Sequence, residues 1–193
     1  MRLRVAIIAV LIAVLGDYAT TPAGASDSRT DAHCVQQVPP TGVAPPAPHC
    51  FTTYAAAMSY LTGGRVTLAL TADEPNGSGS TAVDQQIDDA LVANGVTILS
   101  TEYKNAAFGG STYTFTWGDT CADVNVAWSS MPTGWDNAIS SSRPGSGCDA
   151  IHYDAAGAGP NSPPAGSSYA CPSACSTMGT MNDRTSSMRW VHA

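Results

Sequence analysis

The chain has 193 residues, 44% of them hydrophobic and 12% charged, with a net charge of −7 and a pI near 4.7. That length fits one ordinary domain or a small domain plus an appendage, and the absence of clustered Lys and Arg excludes nucleic acid as a partner. Four His and a single Lys leave little material for acid-base chemistry, so a binding function is expected over an enzymatic one.

Residues 1–25 read as a secretory signal. Arg2 and Arg4 supply the positive start, Val5 to Leu15 is an apolar run, and Ala23-Gly24-Ala25 gives the small-x-small site that signal peptidase accepts. The run stops at Gly16-Asp17, short of the roughly 20 apolar residues a membrane span requires. Cleavage after Ala25 would leave six basic and fourteen acidic residues, a charge of −8, and a secreted product that does not engage a membrane. Outside the cytoplasm, Cys34, Cys50, Cys121, Cys148, Cys171 and Cys175 are expected to form three disulfides. Fifteen pairings exist for six cysteines. Nearest-neighbour pairing is taken as the working scheme, the middle loop contributing on the order of 3 kcal/mol in the chain-entropy model. Zinc is the alternative suggested by His33-Cys34 and His49-Cys50, although their spacing fits no standard finger or ribbon.

Residues 26–49 are polar and then proline-rich, with Val38-Pro39-Pro40 and Ala44-Pro45-Pro46-Ala47-Pro48, which favours an extended tethered arm over helix or sheet. Residues 50–95 read as a small α+β segment. Phe51, Tyr54, Ala55, Met58 and Leu61 recur at helical spacing and predict a helix over 52–61, ended by Gly63-Gly64. Val66, Leu68 and Leu70 mark a strand, followed by a Pro75-Asn76-Gly77 turn. Thr81-x-x-Asp84 has the form of a capping box, opening a helix with Val83, Ile87, Ala90 and Leu91 on one face and Asn94-Gly95 at its end. From residue 96 to 193 the pattern becomes all-β: Tyr103, Phe108, Tyr113, Phe115 and Trp117 alternate with glycine- and proline-bearing turns. Trp135, Trp190 and His152 are expected to serve packing, and His192 lies at the chain end.

One six-residue pattern occurs twice in this β region. Asp136-Asn137-Ala138-Ile139-Ser140-Ser141 and Asn182-Asp183-Arg184-Thr185-Ser186-Ser187 each present two Asn or Asp, two variable positions and two Ser, 46 residues apart. Repetition at a fixed period implies two related supersecondary units. Carboxylate, amide, hydroxyl and turn carbonyl oxygens on tight loops suit Ca2+, which takes 6 to 8 oxygens at about 2.3–2.6 Å. A single copy would read as an Asx or Ser turn; two in one register do not.

These segments resemble the calcium motif of the βγ-crystallins, and Tyr103-Lys104-Asn105-Ala106-Ala107-Phe108-Gly109-Gly110 matches the aromatic-x4-aromatic-x-Gly hairpin that opens that family's Greek keys. The resemblance covers residues 96–193. It implies a mostly β fold, a two-Greek-key βγ-crystallin-like sandwich preceded by a small helix-strand-helix α+β segment. It also implies a double clamp for two calcium ions, with side-chain oxygens from Asp136 and Asn182, hydroxyls from Ser140 and Ser186, and contacts from Asn137 and Asp183. Carbonyls near Lys104 and Asp154 would complete the shells, at affinities of about 10⁻⁵ to 10⁻³ M. The chain departs from the family in three places. The second hairpin, opening near Tyr153, is degenerate or lengthened; Lys104 replaces an acidic residue; and Ser142-Arg143-Pro144 stands where an apolar strand is usual.

The expected function is therefore calcium binding by a secreted, disulfide-stabilised monomer without catalytic activity. The alternative is inhibition of an extracellular protease, in particular a metalloproteinase, as implied by secreted relatives of this fold, through a rigid loop at Thr112 to Asp119 or Ala155 to Ser168. A cell-wall or antifungal role has no specific support. No Gly-x-Ser-x-Gly or His-Glu-x-x-His motif occurs. A Ser-His-Asp triad assembled from distant residues is the remaining catalytic route.

Overall fold

The computed structural model describes residues 32–66 and 81–193. The signal segment and most of the strand and turn expected after Val66 lie outside the described residues, as do the side chains of the capping box. Among the described residues no helix is long and apolar enough to cross a membrane.

The architecture is mostly β, two packed sheets with a pair of helices on the outside of one of them. Strands β1 (His33–Gln37), β2 (His49–Phe51), β3 (Thr97–Asn105), β4 (Gly109–Trp117) and β6 (Ser141–Pro144) form the first sheet, in the order β2-β1-β4-β3-β6. Strands β5 (Asn125–Trp128), β7 (Cys148–Tyr153), β8 (Ser168–Cys171) and β9 (Ser187–His192) form the second, in the order β5-β9-β7-β8. In the first half β3, β4 and β6 share a sheet while β5 crosses to pair with β9 of the other. In the second half β7, β8 and β9 share a sheet while Cys175 crosses to bridge Ser142 of β6. Each half is thus a Greek key divided between both sheets, and the two halves cannot separate without breaking sheet hydrogen bonds.

Aromatic and thioether side chains fill the space between the sheets. Leu99, Phe115, Ile139, Met178, Met188 and Trp190 are fully enclosed there, and Trp135 is nearly so. Both tryptophans pack as the sequence suggests. Trp190 satisfies its one polar atom by donating from Nε1 to Ser100 Oγ across the sandwich at 2.8 Å. Also buried between sheets, Glu102 of β3 accepts from Ser142 Oγ at 3.1 Å and holds His152 Nε2 of β7 at 3.0 Å. Polar groups removed from water in this way must be hydrogen-bonded, and here the bonds also join the two sheets.

Helix α1 (Tyr54–Leu61) begins where Thr53 Oγ1 accepts the Ala56 N–H at 3.1 Å, so the chain enters the helix two residues later than its apolar spacing suggests. Gly63 and Gly64 close it at φ +61° and +77°. Helix α2 (Thr81–Val92) ends before Gly95 at φ +65°. Met58, Ala57, Ile87 and Leu91 bury their apolar faces on Val35 of β1 and Val66.

The segment read as a proline-rich arm is a correction. His33–Gln37 is an interior strand, parallel to β4 from His33↔Thr112 to Gln37↔Thr116 and antiparallel to β2. The physical reason is the placing of the prolines. They begin at Pro39, after the ladder has used its N–H groups, so nothing in 33–37 opposes pairing. Cys34 faces the inter-sheet core and Val35 the helices, which is the two-sided burial of a central strand.

The three disulfides are Cys34–Cys50, Cys121–Cys148 and Cys171–Cys175, the nearest-neighbour scheme, with Cα separations of 4.0, 5.3 and 6.0 Å. The first joins directly paired residues of β1 and β2. All six thiols are consumed, which removes Cys34 and Cys50 from any zinc site. Three disulfides are the mark of an oxidising, extracellular type of environment.

Candidate metal centre

The two hexapeptides lie side by side and bond to each other. Asn137 N–H donates to Thr185 O at 3.0 Å, and Asp183 N–H donates to Ile139 O at 2.9 Å. Residues 137 and 183, like 139 and 185, hold the same position in their motifs, so the pair of bonds is a local two-fold arrangement. The same relation extends outward. Ser140 N–H donates to Tyr103 O at 2.9 Å and Ser186 N–H to Tyr153 O at 2.8 Å. Ser141 Oγ donates to Asn105 O and Ser187 Oγ to Ala155 O, each at 2.6 Å. Every loop is therefore held by the opening strand of its own half and by the loop of the other.

Backbone conformation explains the residue types. Asn137 and Asp183 have φ of +55° and +52°, the left-handed region that excludes most residues bearing a Cβ but that Asn and Asp tolerate. Their side chains then project from the loop junction. Asp183 Oδ1 accepts from Ser140 Oγ of the other loop at 2.8 Å, and its Oδ2 accepts from Asn182 Nδ2 at 2.8 Å. Asn137 Nδ2 donates to Asp136 Oδ2 at 3.2 Å, which leaves its amide oxygen as the accepting atom. Ser140 is buried and Ser186 half-buried, while Asp136, Asn137, Asn182 and Asp183 are exposed. Of the six residues, Ser140 and Asp183 meet through side chains across the loops, Asn137 joins them through its backbone, and Asp136 and Asn182 bond within their own loops.

The donor set fits a calcium ion. Ser140 Oγ and Asp183 Oδ1 are 2.8 Å apart, a spacing that neighbouring ligands take in an oxygen shell of about 2.4 Å radius. All donors at the junction are hard oxygens. Among the described residues no three His, Cys, Asp or Glu side chains converge on one point.

The opening hairpins differ. In the first half β3 and β4 are joined by the tight turn Ala106–Phe108, with Ala107 and Phe108 at φ +56° and +62°. Gly110 follows at φ +74°, and a Cβ there would come within 2.7 Å of Asn105 Nδ2. This is the physical demand behind the glycine of the hairpin pattern. In the second half the turn is replaced by residues 154–167, between β7 and β8. Within it Asp154 Oδ1 accepts the Ser167 N–H at 2.7 Å, and its Oδ2 meets Arg184 Nη2 at 2.8 Å. That ion pair was not legible as a pair in the sequence, since 30 residues separate its partners, although both lie beside motif residues.

Ser142-Arg143-Pro144 does form a strand despite its polarity. Ser142 is buried against Glu102, and the Arg143 guanidinium lies 4.6 Å from the centre of the Phe108 ring. Thr112 to Trp117, expected as part of an exposed loop, is instead β4, held between β1 and β3 with Thr112, Thr114 and Phe115 fully buried. A strand enclosed in this way cannot be offered to a protease.

No protein-family model and no curated protein matches the chain. Among solved structures it is similar to a βγ-crystallin domain from Flavobacterium johnsoniae, at 28% identity over 49% of this chain and 94% of that one, with a TM-score of 0.31. A βγ-crystallin domain from Clostridium beijerinckii matches at 16% identity over 48% and 97% of the two chains, with a TM-score of 0.36. The N-terminal domain of Protein S matches at 20% identity over 49% and 96%, with a TM-score of 0.37.

Proposed function

We propose that this chain is a secreted, disulfide-stabilised calcium-binding protein of βγ-crystallin type that acts by binding rather than catalysis. The observation that carries the reading is the mutual grip of the two hexapeptides, Asn137 N–H to Thr185 O and Asp183 N–H to Ile139 O, with Ser140 Oγ and Asp183 Oδ1 meeting across it at 2.8 Å. Ser140 and Asp183 would hold an ion there, with a carbonyl of the segment beside Lys104, and Ser186, Asn137 and a carbonyl beside Asp154 would form the related second cradle. The ion would supply charge neutralisation and a cross-link between the two halves of the sandwich. Because the loops are assembled only in the folded chain, calcium would bind the native state alone and stabilise it, by about 2.7 kcal/mol at a hundredfold excess over the dissociation constant.

Calorimetric titration of the secreted chain with CaCl2, with thermal denaturation in parallel and MgCl2 as the control, tests this. Heat of binding with a dissociation constant between about 10⁻⁵ and 10⁻³ M and a raised melting temperature are expected. No heat and no shift at several millimolar calcium overturns the proposal.

A further inference from the structure

We infer that the two halves of the centre are unequal, and that the Arg184 guanidinium acts as a built-in cation on the side of Ser186 and Asn137, so that the chain takes one calcium ion rather than two. The inference rests on the calcium-binding reading above.

The two-fold relation makes the comparison position by position. Ser140 is faced by a carboxylate, Asp183, at 2.8 Å. The residue related to Asp183 is Asn137, a neutral amide at the position where the other loop carries a carboxylate. The residue related to Arg184 is Ala138, which carries no charge. The residue related to Asp154 is Lys104, whose ammonium lies 5.3 Å from the centre of the Trp135 ring. Asp183 keeps its two oxygens for Ser140 and Asn182.

On the other side a cation is already bonded. Arg184 Nη2 sits 2.8 Å from Asp154 Oδ2, and Nη1 donates to Thr180 O at 3.3 Å. Asp154 is held in that place from two further directions. Ser167 N–H donates to it, and Gly166 leaves the room it occupies, because a Cβ at 166 would run into Asp154 Oδ1. Asp154 directly follows Tyr153, whose carbonyl receives the Ser186 N–H, so this ion pair stands at the mouth of the second cradle. The side chain of Asp154 is 16% exposed and that of Arg184 50% exposed, so the pair is partly withdrawn from solvent on the carboxylate side. A divalent ion placed beside Ser186 would meet a fixed positive charge and an acceptor already spent, with no compensating carboxylate from position 137.

The test is calcium stoichiometry by calorimetry on the full chain, for the natural protein, Arg184→Ala and Arg184→Lys. Arg184→Ala copies Ala138 and frees Asp154; circular dichroism and thermal denaturation in EGTA check that it folds. One calcium per chain is expected for the natural protein and for Arg184→Lys, and two for Arg184→Ala, the second with a dissociation constant at or below about 10⁻³ M. Two calcium ions in the natural protein, or one in a folded Arg184→Ala, overturns the inference and leaves the calcium reading standing. No calcium in the natural protein or in Arg184→Ala overturns that reading itself.

Discussion

Asp183 carries two separable roles, one in its backbone and one in its carboxylate, and a pair of substitutions divides them. At φ +52° an Ala in its place meets the Cβ penalty of the left-handed region, about 1–2 kcal/mol, whereas Gly meets none. Both substitutions delete the acceptor of the Ser140 hydroxyl and the Asn182 amide, a loss of about 1 kcal/mol for a half-exposed pair of bonds. In EGTA, Asp183→Gly should therefore fall below the natural protein by about 1 kcal/mol and Asp183→Ala by about 2–3 kcal/mol. For a chain of this size those figures are melting shifts of roughly 2–4 °C and 4–12 °C. In millimolar calcium the natural protein should rise, and both variants should lose that rise, because neither offers a carboxylate to the ion. Differential scanning calorimetry with and without calcium reads all six melting temperatures. Equal stabilities of the Gly and Ala variants in EGTA would refute the backbone part of the reasoning, and a full calcium-induced rise in Asp183→Gly would refute the ligand part.

Two other perturbations test the surrounding fold. Gly110→Ala places a Cβ 2.7 Å from Asn105 Nδ2 at φ +74°, and a loss of about 1–3 kcal/mol in urea unfolding is expected; a neutral result would mean the first hairpin is not fixed by that residue. Burial pushes the Tyr113 phenol up to about 12 from 10.0, and its hydroxyl donates to Gln36 Oε1 at 3.1 Å. Between those two pH values the unfolded chain releases the proton and the folded chain keeps it. Stability should then fall by about 1.4 kcal/mol per pH unit as pH rises above 10, a slope that Tyr113→Phe removes. A spectrophotometric tyrosine titration in which all phenols ionise together near pH 10 would contradict this.

Short-range features were open to reading because their causes are local. Helix α1 follows from apolar spacing, the Thr53 cap and Gly63-Gly64, all within a dozen residues of one another. The hexapeptides are visible for the same reason: a tight loop with one residue in the left-handed region needs Asn or Asp there, and that demand is written at a single position twice over. Nearest-neighbour pairing of the cysteines suited a chain whose bridged residues are also close in the fold, Cys34 lying directly opposite Cys50 in the β1–β2 ladder.

Other features depend on residues that the chain brings together from far apart. His33–Gln37 reads as an arm because prolines follow it, yet it becomes a central strand because β4, almost eighty residues on, offers an open edge on one side and the helices an apolar face on the other. Glu102, Ser142 and His152 carry no mark in the sequence of being a sealed polar cluster between sheets. Arg184 and Asp154 each sit beside a motif, but only the long second connection, with Gly166 and Ser167, makes them partners. The sequence by itself determined which residues can adopt the tight, oxygen-bearing turns, since φ and donor chemistry belong to single residues. Tertiary structure alone decided which turn faces which, and what charge stands beside each, since hydrogen bonds and Coulomb forces act over distances in space that sequence separation does not measure.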